Sequence, residues 1–223
     1  MKLSEVFNQL AYGELAQINI ADMANGKVTS KHFPALVAHV NLGLSALFKR
    51  FNLKEGSVVV PLLPGTLTYP IPQEDLFKIE RVYTKQGWEL GLNDESDVYS
   101  CFTPSTKALR VAPDVANQVQ TLPQELKTTE LEVVYRANHR TIVVEDRFFD
   151  PEEEEVDLPY GHLEALLYFI ASRVNNPIGM GAEFNAGNNW AAKYEQECQK
   201  LEVFNLRVDM APSNSKLTRN GWV

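Results

Sequence analysis

Six side chains stand out as possible metal ligands or nucleophiles: His32, His39, His139 and His162, with Cys101 and Cys198. His32 and His39 are seven residues apart in a segment of helical period, so they share roughly one face. That spacing puts them about 10 Å apart along the axis, too far to hold one ion. His139 sits in Ala137-Asn138-His139-Arg140, a turn-like stretch between two candidate strands. His162 stands near the start of a helix with Glu164 close by, and neither spacing makes an HExxH site. Cys101 and Cys198, far apart in sequence, read as free thiols of a reducing compartment.

The other patterns that hold chemistry are missing. No GxSxG nucleophile turn, GxGxxG fingerprint or GxxxxGK[ST] phosphate loop occurs. Asn175-Asn176-Pro177-Ile178-Gly179-Met180-Gly181 has two glycines but no Lys or Arg to hold a phosphate, and reads as a tight connection between helices. The run Asp150-Pro151-Glu152-Glu153-Glu154-Glu155 reads as a solvated acidic connector. Arg136, Arg140 and Arg147 could line one edge of a sheet, and their plainer role is ion pairing with that connector. The expectation is a chain with no catalytic residues, no cofactor and no metal: a structural component, not an enzyme.

Charge points the same way. The formal net charge is -8, which disfavours tight binding to nucleic acid or an anionic membrane. It does not exclude a path along which DNA passes without sticking. The start, Met1-Lys2-Leu3-Ser4-Glu5, lacks the pattern of a signal peptide, and no stretch approaches the ~18 apolar residues of a membrane span.

Helices open and close the chain. Leu3 to Ile18 has an apolar stripe of Leu3, Val6, Phe7, Leu10 and Leu15, with Ser4 as N-cap and Gly13 weakening its middle. A second helix begins near Thr29 or Ser30, with Pro34 in its first turn and Lys49 and Arg50 at its end. Its stripe is Phe33, Leu36, Val37, Val40, Leu44, Leu47, Phe48 and Phe51. A third opens at Asp157 or Leu158, with Leu163, Leu166, Leu167, Ile170 and Val174 as its core face. A fourth runs from about Gly181 to Val208, burying Trp190, Tyr194, Cys198, Leu201, Phe204 and Val208.

Between the helix pairs the period changes to two. Candidate strands are Ser57–Val60, Thr66–Pro70, Phe77–Thr84, Trp88–Leu90, Ala108–Val111, Glu130–Arg136 and Thr141–Val144, with a hairpin turn at Lys85-Gln86-Gly87. The pattern predicts an α+β protein. Residues 1–53 and 157–210 form a four-helix bundle, 54–156 a β-rich insertion built as a small sandwich or barrel-like sheet, and 211–223 an extended C-terminal tail. The tail is polar, has no apolar period, and ends Gly221-Trp222-Val223. It reads as a segment that is either disordered or docks on a partner.

This layout resembles the head-to-tail adaptors of tailed bacteriophages, most closely those of short-tailed phages known as tail tubular protein A. The stretches nearest to such proteins are Glu164-Ala165-Leu166-Leu167-Tyr168-Phe169-Ile170-Ala171-Ser172-Arg173-Val174 and Ala186-Gly187-Asn188-Asn189-Trp190-Ala191-Ala192-Lys193-Tyr194-Glu195. The resemblance implies a virion protein that forms a homo-oligomeric ring, usually a dodecamer. The ring would lie between the portal protein and a downstream tail or nozzle protein and extend the DNA channel, with no membrane partner. It implies portal binding through the C-terminal tail, with Lys216, Leu217, Arg219 and Trp222 as the contact residues. The β-rich insertion is large beside the helical part, which leaves a neck protein of a long-tailed phage open. A reading of another class is a β-sheet ligand-binding module.

Overall fold

The structure, a computed structural model, describes residues 1–18, 20–22, 26–144, 149–175 and 181–204, with the backbone alone over 181–186. It is a mixed α+β protein. The described residues fall into two compact units, one of Met1–Leu53 with the chain from His139 onward, the other of Lys54–Asn138.

The helical unit is built from α1 (Leu3–Tyr12), α2 (Phe33–Arg50), α4 (Leu163–Val174) and α5 (Gly181–Val203). In α1, Leu3, Val6, Phe7, Leu10 and Ala11 are buried at three- and four-residue steps. Gly13 stops this helix at Tyr12, and a short 3₁₀ turn, Ala16–Ile18, follows where a continuous helix was expected. Pro34 fits the first turn of α2 because its missing N–H has no intrahelical acceptor there. Gly43 allows α2 to approach α4 closely: a Cβ at this position would lie 2.5 Å from Leu166 Cδ1 and 3.0 Å from Phe169 Cδ1.

α4 packs on α1, α2 and α5. It is buried around most of its circumference, with Ala165, Leu166, Leu167, Phe169, Ile170, Ala171 and Ser172 inside. One apolar core takes side chains from all four helices, down to Cys198 and Leu201 of α5. Ile142, Val156 and Leu158 belong to the same core. The second half of the helical unit therefore begins at His139, not at residue 157 as the change in composition suggests, because the connector buries its own apolar residues against the helices. The connection at 176–180 and the end of the fourth helix beyond Phe204 lie outside the described residues.

The β unit holds two antiparallel sheets. β1 (Glu55–Pro61), β7 (Glu130–Ala137), β3 (Leu76–Thr84) and β4 (Glu89–Leu90) form the first, in the order β1-β7-β3-β4. β2 (Thr68–Pro70), β6 (Ala108–Arg110) and β5 (Phe102–Ser105) form the second, in the order β2-β6-β5, and a short helix, α3 (Pro113–Ala116), follows. Alternate residues of β7, Leu131, Val133, Tyr135 and Ala137, point into a core shared with Tyr69, Ile71, Leu109 and Val111. The turn at Lys85-Gln86-Gly87 is present: Thr84 N–H donates to the Trp88 carbonyl at 2.8 Å, and Gly87 adopts φ +85°, open to glycine. Two strand expectations are corrected. Thr141–Val144 joins neither sheet, and β5, which was not expected, exists as an edge strand despite Pro104.

Candidate assembly surfaces

The residues singled out for chemistry are mostly engaged in holding the fold. His139 shares a 2.9 Å hydrogen bond with Ser45 Oγ, approaches the Arg140 carbonyl at 2.9 Å, and meets the Phe48 ring edge-on. His162 is buried with its ring 5.0 Å from that of Phe51. His39 is half-buried, and burial followed by the nearby Arg173 charge pushes its pKa below the ordinary histidine value. Cys101 and Cys198 are free and buried. Burial, and then Asp97, pushes the Cys101 thiol up to about 12, so it is no nucleophile near neutral pH. Among the described residues no group of three His, Cys, Asp or Glu side chains could hold a metal ion. Among them, too, no helix is long and apolar enough to cross a membrane.

The acidic connector proves to be a clamp. Its backbone runs beside the N-terminus, where Lys2 and Glu155 make an isolated antiparallel bridge. Leu3 N–H donates to the Glu154 carbonyl and Ser4 N–H to that of Pro151, each at 2.9 Å, while Val156 N–H donates to the Met1 carbonyl at 2.8 Å. These carbonyls satisfy the first orphan amides of α1, so the helix needs no side-chain cap, and the expectation that Ser4 would supply one is corrected. The carboxylates find cations in turn: Lys2–Glu155 at 3.4 Å, Lys27–Glu152 at 2.6 Å and Arg140–Glu154 at 3.0 Å. Arg136 pairs instead with Glu80, at 3.1 Å, and Arg147 lies outside the described residues. Beside the clamp, Phe7, Phe33, Phe149, Val28 and Pro151 line a recess of about 200 Å³.

α5 is fastened to the end of α2 by one side chain. Arg50 donates from Nη1 and Nη2 to both Glu195 oxygens, at 2.7 and 2.8 Å, and from Nε to Glu202 at 2.7 Å. Nearer the start of α5, the Trp190 ring stacks on Tyr168 of α4 at 5.6 Å and the Lys193 ammonium lies 4.1 Å over the indole. Past these contacts the helix becomes apolar on its open side: Val203 is 82% and Phe204 70% exposed.

In the β unit the sheet face turned away from the core is charged. Arg136 meets Glu80 there, and Arg81 lies 3.9 Å from Glu55 and over the Tyr83 ring. A polar cleft of about 440 Å³ is lined by Lys78, Glu80, Asn93, Thr103, Ser105 and Thr106. Lys216, Leu217, Arg219 and Trp222, the expected portal contacts, lie outside the described residues.

Three surfaces stand out among the described residues: a clamped connector, an apolar helix end and a charged sheet face. Sequence reasoning foresaw the Arg140 pairing but missed Asn41 and Arg50, since a single polar residue in an amphipathic helix gives no sign of a distant partner. A family model described as SU10 adaptor protein matches residues 10–218, which takes in both units. No curated protein matches the chain.

Proposed function

Because the chain belongs to the SU10 adaptor protein family, a family of phage structural adaptors, we propose that it forms a homo-oligomeric ring between the portal and the tail of a bacteriophage virion and extends the DNA channel. The observation that carries this reading is the family match over residues 10–218, most of the chain and parts of both units. The four helices act as a common bundle and supply contacts between copies, the tail protein sits below, and the C-terminal tail reaches the portal. The ring is of the short-tailed, tail tubular protein A kind, with twelve copies.

Two further features support the reading. The net charge of -8 suits a channel wall along which DNA slides, because a wall rich in Lys and Arg would hold phosphates by counterion release. His139, His162, Cys101 and Cys198 are spent on packing, which favours a structural over an enzymatic role. The polar cleft on the β unit favours a second reading, a ligand-binding module, in which a soluble small ligand would saturate that cleft.

The test is the mass of the full chain in solution, alone and mixed with portal rings, followed by images of the assembled particle. A closed ring seated on the portal is expected. A chain that stays single in both conditions, or that binds a small ligand at Lys78 and Thr103 without assembling, would remove the adaptor role.

A further inference from the structure

Among the described residues, two halves of a β-sheet contact are left open, one in each unit. The first is the edge of the four-stranded sheet. β1 pairs with β7 in unbroken register from Glu55↔Arg136 to Pro61↔Glu130. The flanking bonds, Leu62 N–H to the Thr129 carbonyl and Ala137 N–H to the Lys54 carbonyl, both 2.9 Å, fix the phase of the ladder. Gly56, Val58 and Val60 therefore exchange bonds with β7, and the amides and carbonyls of Ser57 and Val59 point away from the sheet. Both residues are exposed, Val59 by 57%.

The other sheet edges are blunted in ways that natural proteins use against strand addition. β4 has two residues, and the stretch of β3 that it leaves uncovered carries two register shifts against β7. β2 has three and ends in Pro70. β5 contains Pro104, and its pairing with β6 shifts register. β1 alone among them is long and regular, with an apolar Val58-Val59-Val60 run and no bulge against its neighbour.

The second half is the strand-like segment Thr141–Val144, which joins neither sheet. Its burial alternates, with Ile142 inside and Thr141 and Val143 exposed. One side chain, Asn41, binds both backbone groups of Ile142, at 2.8 and 3.0 Å. Alternating burial and a paired N–H and C=O on one side are the marks of extended chain. The corresponding groups of Thr141 and Val143 then point outward, and Val143 is 55% exposed.

We propose that residues 141–144 of one copy add to the β1 edge of the next copy as a further strand. The occupant is a second copy because each chain holds both halves, one in each unit. Such a contact is head-to-tail, and head-to-tail contacts that close make rings. The chemistry matches at both levels. Main-chain groups of Thr141 and Val143 meet those of Ser57 and Val59, and the exposed valines cover one another. This inference rests on the ring reading.

The test places a benzophenone amino acid at Val59 of the full chain, mixes ¹⁵N-labelled and unlabelled protein, and irradiates the assembled material. Cross-links to a peptide containing 140–144, with mixed isotopes, are expected. Links within one copy only, links to other segments, or none would overturn the pairing. A second variant, Val59→Pro, keeps the β1–β7 ladder because the lost amide points away from it. Its melting temperature should match the parent, while the assembled fraction at equal concentration falls by about tenfold, equivalent to about 1.4 kcal/mol. Assembly equal to the parent would sink the pairing and leave the ring reading intact. A parent chain that never assembles would remove the ring reading and the pairing with it.

Discussion

Asn41 grips Ile142 at both of its backbone groups: Nδ2 donates to the carbonyl at 2.8 Å and Oδ1 accepts from the amide at 3.0 Å. A single side chain on α2 thus does the work of a neighbouring strand, across 101 residues of sequence. Ile142 is buried, so removing Asn41 leaves both of its backbone groups without their protein partner. Asn41→Ala should cost about 1–3 kcal/mol, the penalty of leaving buried backbone groups unpaired. Asn41→Asp keeps the acceptor but not the donor and should fall between the two. Urea unfolding midpoints measure both, and an Asn41→Ala midpoint equal to the parent's would show that Ile142 finds other partners.

That contact also explains one part of the sequence that misleads. Arg140-Thr141-Ile142-Val143-Val144 has the β-branched content of a strand, and no local signal says that its partner is one asparagine on a helix. β5 is hidden for the opposite reason, since Pro104 marks a loop and only the edge position tolerates it. Helices with strong periods, such as α2, were legible because their burial is decided within the element. The connector was not: its acidic composition says solvent, yet Val156 and Leu158 sit in the helical core and its carbonyls cap α1. Exposed contact surfaces were the least legible part, because Val59 and Val143 look in sequence like any other strand residues.

Gly43 lies where α2 meets α4 and should tolerate no large side chain. A Cβ there meets Leu166, which is fully buried, so any shift of its side chain disturbs the core around it. Gly43→Val should destabilise by about 1–3 kcal/mol through overpacking. Gly43→Ala should cost less, since the gain in helix propensity of about 1 kcal/mol offsets part of the clash. Thermal unfolding of the two variants gives the order, and a stabilised Gly43→Val would mean that the helices separate without loss.

Arg50 makes the docking of α5 depend on pH. Its hydrogen bonds hold the Glu195 carboxyl below the ordinary value of 4.5. A depressed acid contributes stability that is present above its unfolded value and lost as pH falls through the folded one. The parent should therefore lose part of its stability below the ordinary carboxylate range, and Arg50→Gln should lose that part of the slope. Both Glu195 and Glu202 are half-exposed, so the network is worth about 1 kcal/mol at neutral pH and weakens in high salt. Denaturation curves from acid to neutral pH would decide this, and parallel curves for parent and variant would refute the assignment.

The C-terminal tail should govern attachment and contribute nothing to the fold. Residues 211–223 have no apolar period, and Trp222 is their only large aromatic group, with Lys216 and Arg219 as the cations. Ordering such a segment costs about 1–2 kcal/mol per residue in backbone entropy, more than its own burial returns. On the proposed portal, a partner surface would supply a pocket for the indole, an apolar contact for Leu217 and acidic groups for the two cations. Removing residues 211–223 should leave the melting temperature almost unchanged and abolish co-sedimentation with portal rings. Trp222→Ala should weaken binding at every salt concentration. Lys216→Glu with Arg219→Glu should weaken it most at low salt, where the lost attraction is least screened. Undiminished co-sedimentation of the truncated chain would move the portal contact to the helices or the sheet. A large fall in melting temperature would instead assign the tail to the core.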